Sequence, residues 1–138
     1  MSIDIRTMTM VDYDAVLDLW RALPGMGLSK SDDPKELERF IARNPETSLV
    51  LTWNDIVIGS VLGGFDGRRG YIYHLAVRRE YQGLRYGTML MDELERRFKA
   101  LGVMRIHLMI YIDNEAAEFY RKRGWWVRDE LNIMSRDL

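Results

Sequence analysis

The sequence predicts a single mixed α/β domain spanning residues 1–138, in the order β-α-α-β-β-β-α-β-α-β-β, with helices flanking a mixed, largely antiparallel twisted sheet. Three observations carry that expectation. Strand-length apolar runs alternate with segments whose apolar residues recur every three to four positions. Three of the strand-like runs follow one another with only tight reversals between them, which makes an antiparallel meander. An apolar run ending at Val77 then passes through a glycine-containing loop directly into the longest amphipathic segment of the chain.

In order, Ile3 and Ile5 share one face of a first strand over 3–6, followed by Met8. Asp12 is placed to cap a helix over 13–23 whose stripe is Val16, Leu19, Trp20 and Leu23, ended by Pro24 and Gly25. Asp33 followed by Pro34 opens a second helix, with Leu37, Phe40 and Ile41 inward, that stops before Pro45. Strands over 48–53 and 56–65 are joined by a tight Asn54–Asp55 turn, and a third over 70–77 follows a reversal at Asp66 and Gly67. Gly59, Gly63 and Gly64 mark bulges or close backbone approach in the middle strand. The long helix starts at Arg85 or Tyr86, buries Leu90, Leu94, Phe98 and Leu101, and stops at Gly102. A strand over 103–110 returns parallel to the third meander strand through a right-handed crossover. A short helix over 116–123 and strands over 125–127 and 131–134 complete the chain.

Composition narrows the function classes. With 47% hydrophobic residues, the 138-residue chain can build one core without a staple. It contains no cysteine, which excludes disulfides, thiolate chemistry and cysteine-based zinc sites, and fits a reducing, cytoplasmic setting. Asp4 places acid early and no long apolar run follows, so neither a signal peptide nor a membrane span is expected. A formal net charge of −1 argues against nucleic acid as a partner. The charge is uneven, however: Arg68, Arg69, Arg78, Arg79 and Arg85 face only Glu80, a local field suited to a small anionic ligand.

The most informative stretch runs from Leu75, Ala76 and Val77 through Arg78, Arg79, Glu80, Tyr81, Gln82, Gly83, Leu84, Arg85, Tyr86, Gly87 and Thr88 to Leu90. The first turn of a helix exposes N–H groups that lack intrahelical partners, and these suit a phosphate or pyrophosphate. Gly83 and Gly87 would let such a ligand approach, although glycine-containing loops also precede helices for packing reasons alone. The stretch matches neither the nucleotide-triphosphate loop nor the dinucleotide pattern of three glycines.

These residues resemble the acetyl-CoA signature of the GNAT superfamily of N-acetyltransferases. The run Asn114, Glu115, Ala116, Ala117, Glu118, Phe119, Tyr120, Arg121, Lys122, Arg123, Gly124 and Trp125 resembles its second motif. The stretch from Val57 to Gly70 is similar to the small bacterial YpeA-like acetyltransferases. The resemblance covers nearly the whole chain and implies a GNAT-like fold and transfer of an acetyl group from acetyl-CoA, the co-substrate, to a small-molecule or peptide amine. It implies a cofactor-binding set of Leu75, Ala76, Val77, Gln82, Gly83, Leu84, Arg85, Tyr86, Gly87, Thr88 and Asn114. In this pattern the middle glycine of the loop falls on Arg85, whose N–H survives as a donor if the residue stays in right-handed helical geometry. The asparagine that meets the pantetheine arm falls on Asp113, with Asn114 adjacent, and a carboxylate cannot donate there. Tyr120 falls where the family proposes a general acid to the departing thiolate; packing beside Phe119, Trp125 and Trp126 is its other reading.

The glutamate that serves as base in some relatives falls on Leu108. His74 is the best replacement by intrinsic pKa, with a packed strand histidine as the other reading. His107, Asp66, Glu130, a water chain or an already neutral amine remain as alternatives. The two histidines form no metal cluster, and no metal is expected. Trp20, Met26, Leu28 and Trp126 are candidates to line the acceptor cleft. Arg21, Lys30 and Lys35 would attract a carboxylated acceptor, whereas Asp32, Asp33 and Glu36 would attract an amine, and these signs conflict. A homodimer through the last strands is compatible with the pattern. A non-catalytic acyl-CoA-binding domain and a protein adaptor are the competing readings.

Overall fold

A computed structural model describes residues 2–138. Its elements are β1 (Ile3–Thr7), α1 (Tyr13–Arg21), α2 (Pro34–Arg43), β2 (Ser48–Trp53), β3 (Ile56–Phe65), β4 (Gly70–Val77), α3 (Tyr86–Ala100), β5 (Ile106–Leu108) and α4 (Ala116–Lys122). The five strands lie in sequence order, antiparallel from β1 to β4 and parallel between β4 and β5.

Local chemistry explains most of these boundaries. Asn54 and Asp55 both take positive φ, 49° and 66°, which is what a two-residue hairpin needs to match the strand twist. Pro34 sits in the first turn of α2, where its missing N–H costs nothing. Asp12 departs from its expected capping role. Its carboxylate accepts both Arg6 guanidinium nitrogens at 2.8 Å and the Thr9 N–H at 2.9 Å, so it ties β1 to a short 3-10 turn ahead of α1.

The sheet buries both faces. Leu49, Leu51, Ile58, Val61 and Ile72 pack against Leu90, Met91, Leu94 and Phe98 of α3 and Tyr120 of α4. The alternate positions Val50, Val57, Leu62 and Ala76 pack against Val16, Leu19 and Trp20 of α1 and Leu37 of α2. Gly63 is required by this packing, because a Cβ there would lie 2.7 Å from Leu94 and 2.8 Å from the Thr47 carbonyl oxygen. Truncating Phe98, buried under this contact, would cost about 3–5 kcal/mol.

Three expectations fail at the C-terminal end. Leu101 lies just past α3 and is exposed rather than part of its stripe. The strand over 103–110 shrinks to Ile106–Leu108, paired only with Gly70, Tyr71 and Ile72. Among the described residues, 125–127 and 131–134 form no strands, and Trp126, Val127, Leu131, Ile133 and Met134 are exposed. Their alternation marks strand-capable residues, but a strand forms only on a partner ladder, and a three-residue β5 offers little edge to build on.

Candidate active site

The short pairing of β5 creates the site. β4 continues to Val77 while its ladder to β5 ends at Ile72 and Leu108, so the two parallel strands part and a cleft of about 780 Å³ opens between them. Along this gap Leu75, Ala76 and Val77 have no partner on the β5 side, and Ala76 and Val77 pair with β3 alone. The cleft is walled by the loop after α1, by α2, by β4, by the chain after β5 and by α4.

At the end of β4 the chain turns into α3. Among the described residues, the N–H groups from Gly83 to Thr88 have no protein acceptor. Gly83 has φ 77°, and a Cβ there would meet nothing within 4 Å. At Gly87 a Cβ would make only ordinary contacts at 3.7–3.9 Å, so the protein's own packing does not demand this glycine. A row of donors beside two bare glycines is the cradle a pyrophosphate needs. The Gln82 side chain donates to the Val77 carbonyl at 2.9 Å and fixes the turn to the strand end.

Arg85 corrects one expectation. It is not right-handed: with φ 70° and ψ 14° it takes the left-handed conformation natural to glycine. Its N–H is therefore presented as a glycine's would be, at a conformational cost of about 1 kcal/mol. The expected arginine field also divides. Arg68 and Arg69 precede β4 whereas Arg79 and Arg85 follow it, and the Arg78 guanidinium donates to the Val57 carbonyl at 3.0 Å.

Three residues of the second motif reach the cleft, Asn114, Ala116 and Tyr120, and Asp113 is not among its lining residues. Asn114 Oδ1 accepts the Ala116 N–H at 2.8 Å, closing a turn just ahead of α4, and its amide nitrogen lies beside Gly25. Tyr120 is 8% exposed, held between the rings of Phe119 and Trp125 at 5.2 and 5.4 Å. Arg123 steadies the helix by bonding Asp92 and Glu95 of α3 at 2.8 Å. Burial pushes the Tyr120 phenol up to about 12, with Arg123 opposing weakly, so it is a protonated donor across the neutral range.

The cleft also holds a pair that sequence reasoning did not find. His74 Nε2 lies 2.8 Å from Asp32 Oδ1, with side chains only 11% and 10% exposed. A bulge makes this possible: between Ser60 and Leu62 the β3–β4 register slips, and His74 takes φ 51°. The imidazole packs on the Trp20 ring at 4.7 Å, and Trp20 donates to Ser60 Oγ at 2.8 Å. Asp32 is delivered by a short 3-10 turn, Lys30–Asp32, where it accepts the Ser29 N–H while Tyr13 donates to its carbonyl. Burial works against the ionised carboxyl, but the bonds from His74 and Ser29 outweigh it and hold Asp32 below the usual carboxylate range.

The other expected participants lie elsewhere. Of the proposed lining residues only Met26 borders the cleft, and Trp20 is core. His107 stacks on Tyr71 at 5.7 Å, held below its ordinary pKa by burial and by Arg128, Arg105 and Arg69. Asp66 accepts the N–H groups of Arg68 and Arg69 in its own hairpin, and Glu130 pairs with Arg128. Among the described residues, no cluster of His, Asp and Glu could hold a metal ion, and no helix is long and apolar enough to cross a membrane.

Comparison with known proteins gives the fold and the family. The chain is 36% identical over 135 residues to an acetyltransferase of Pectobacterium atrosepticum, covering 96% of this chain and 94% of that protein. An acetyltransferase of Sodalis glossinidius is 31% identical over 137 residues, covering 98% and 95%. In fold the chain is similar to the PaiA N-acetyltransferase of Thermoplasma acidophilum in complex with coenzyme A, with a TM-score of 0.81, 21% identity and coverage of 94% and 92%. It is also similar to Ard1 of Thermoplasma volcanium, with a TM-score of 0.81, 21% identity and coverage of 93% and 85%. The model of the acetyltransferase (GNAT) family matches residues 13–125, which include both the β4–α3 turn and Tyr120, and the chain belongs to that family.

Proposed function

We propose that the chain transfers the acetyl group of acetyl-CoA to a primary amine by direct attack within the cleft. The observation that carries this is that Tyr120, the Asp32–His74 pair and Leu75 line one cleft, and that β4 runs on from Leu75 into the donor-rich turn at the start of α3. Acetyl-CoA supplies a thioester whose C–S bond breaks as the amine nitrogen forms the new C–N bond. The N–H groups from Gly83 to Thr88 hold the pyrophosphate, the edge at Leu75, Ala76 and Val77 aligns the pantetheine arm, and Asn114 contacts it from across the cleft.

The side chains then divide the proton work. Asp32 fixes the His74 tautomer with hydrogen on Nε2, which leaves Nδ1 as the lone-pair nitrogen that takes the amine proton. Tyr120 donates its phenolic proton to the leaving sulfur and recovers it from solvent. The match to bacterial acetyltransferases along nearly the whole chain supports a small bacterial acetyltransferase, and the stretch from Val57 to Gly70 is the ground for placing it with the YpeA-like kind.

Thiol release from acetyl-CoA, measured across a panel of amines, tests the reading. Acceptor-dependent release that tracks formation of the acetylated amine supports it. Saturable acetyl-CoA binding without transfer to any amine would favour an acyl-CoA-sensing domain instead.

A further inference from the structure

The cleft also carries information about its acceptor, and the argument rests on the acetyl-transfer reading above. Charges around the mouth conflict in sequence, but the folded chain separates them. Of Arg21, Lys30, Lys35, Asp32, Asp33 and Glu36, only Asp32 borders the cleft. Its one ionisable neighbour there besides Tyr73, Tyr111 and Tyr120 is His74, which must be neutral to accept a proton. In the state ready to react, the pair therefore carries one negative charge beside the attacking nitrogen. That charge attracts an ammonium ion arriving from water. It repels a carboxylate on the carbon next to the amine, with no lining cation among the described residues to offset the repulsion.

Apart from Ser29, Ser31, Asn114 and Ser135, the other side chains on the lining are apolar or aromatic. Met26, Leu37, Phe40, Ile72, Tyr73 and Tyr111 line the cleft, and Phe40 meets Tyr73 edge-on at 6.0 Å. Such a surface gains from burying a ring or a branched apolar body, and it does little for a second ammonium group further along an acceptor. We propose that the acceptor is a small primary amine on an aromatic or apolar body, with no carboxylate on the amine-bearing carbon, and that Asp32 enforces the second condition.

The test compares kcat/KM for phenethylamine, phenylalaninamide, phenylalanine and spermidine with the full chain and saturating acetyl-CoA. Phenethylamine should exceed both phenylalanine and spermidine by about tenfold or more, with phenylalaninamide between phenethylamine and phenylalanine. In Asp32→Asn the ratio of phenethylamine to phenylalanine should shrink toward unity. That ratio would not move if Asp32 merely supported the fold, because general loss of active protein cancels from it. Phe40→Ala should raise KM for phenethylamine more than for spermidine. Phenylalanine or spermidine turned over as well as phenethylamine would overturn the acceptor class while leaving acetyl transfer standing. Acetylation of no amine in the set would overturn it too, and if acetyl-CoA also failed to bind, the parent reading would fall with it.

Discussion

The two walls of the cleft are built in opposite ways. The cofactor wall is continuous in sequence: β4, the turn and the first residues of α3 follow one another within Leu75 to Thr88. The acceptor wall is assembled from separate pieces, with Asp32 meeting His74 across 42 positions and Tyr120 arriving on α4. In the proposed reaction the first works mainly through backbone donors and bare glycines, so it should tolerate side-chain change. The second works through side-chain atoms at defined positions and tolerates little. Substitutions on the two walls should therefore differ in size and in the constant they alter.

The largest effect is expected at the assembled wall. Tyr120→Phe should lower kcat by roughly 100-fold, the scale of general acid catalysis, with acetyl-CoA affinity unchanged. Stopped-flow turnover and calorimetric binding on the same preparation separate the two. Asp32→Asn should lower kcat by about tenfold by releasing the His74 tautomer, a positioning effect smaller than loss of the donor itself. If kcat were unchanged, the pair would be structural.

On the continuous wall the constant that moves should be the cofactor Kd. Gly87→Val should weaken acetyl-CoA by about tenfold while leaving the thermal midpoint nearly unchanged, because its new side chain meets only ordinary contacts within the protein at Cβ. Equal losses of binding and stability would assign Gly87 to packing. The smallest effect is at Arg85. Removing a left-handed arginine recovers about 1 kcal/mol or slightly more, and the looser unfolded chain of a glycine returns part of it. Arg85→Gly should thus raise stability by about 0.5 kcal/mol in chemical denaturation, with acetyl-CoA still bound.

The pH dependence sharpens the same contrast. In the proposed reaction Tyr120 acts in its protonated form, and burial raises its pKa to about 12. The acid is therefore fully present at every lower pH and is lost only as pH climbs through that value. Turnover should show no alkaline decline from this group below about pH 11. A fall near 10, where an exposed phenol titrates, would show that Tyr120 is solvated when it acts.

What was legible in the sequence follows from this division. The meander, the long helix and the cofactor turn were readable because their signals are local: alternation, a two-residue Asn54–Asp55 turn, and glycines at a helix start. The place of Tyr120 beside the cleft was readable only because the second motif is also contiguous. Asp32 was not, since a carboxylate in a loop carries no mark of the histidine it will meet. The His74 bulge was hidden as well, because left-handed backbone is unexpected of histidine inside an apolar strand. Arg85 shows the converse: the turn imposed glycine-like geometry on a residue whose own preference is right-handed. The last two strands were over-read, since the alternation at Leu131, Asn132, Ile133 and Met134 reports what the residues can do and not whether a sheet edge stands beside them.

Calorimetric titration of acetyl-CoA into the purified chain tests the central claim most directly, since every step of the chemistry depends on the β4–α3 cradle. The account predicts saturable binding at one site per chain, weakened by Gly87→Val and untouched by Tyr120→Phe. Absence of saturable binding, or binding indifferent to Gly87→Val, would contradict it.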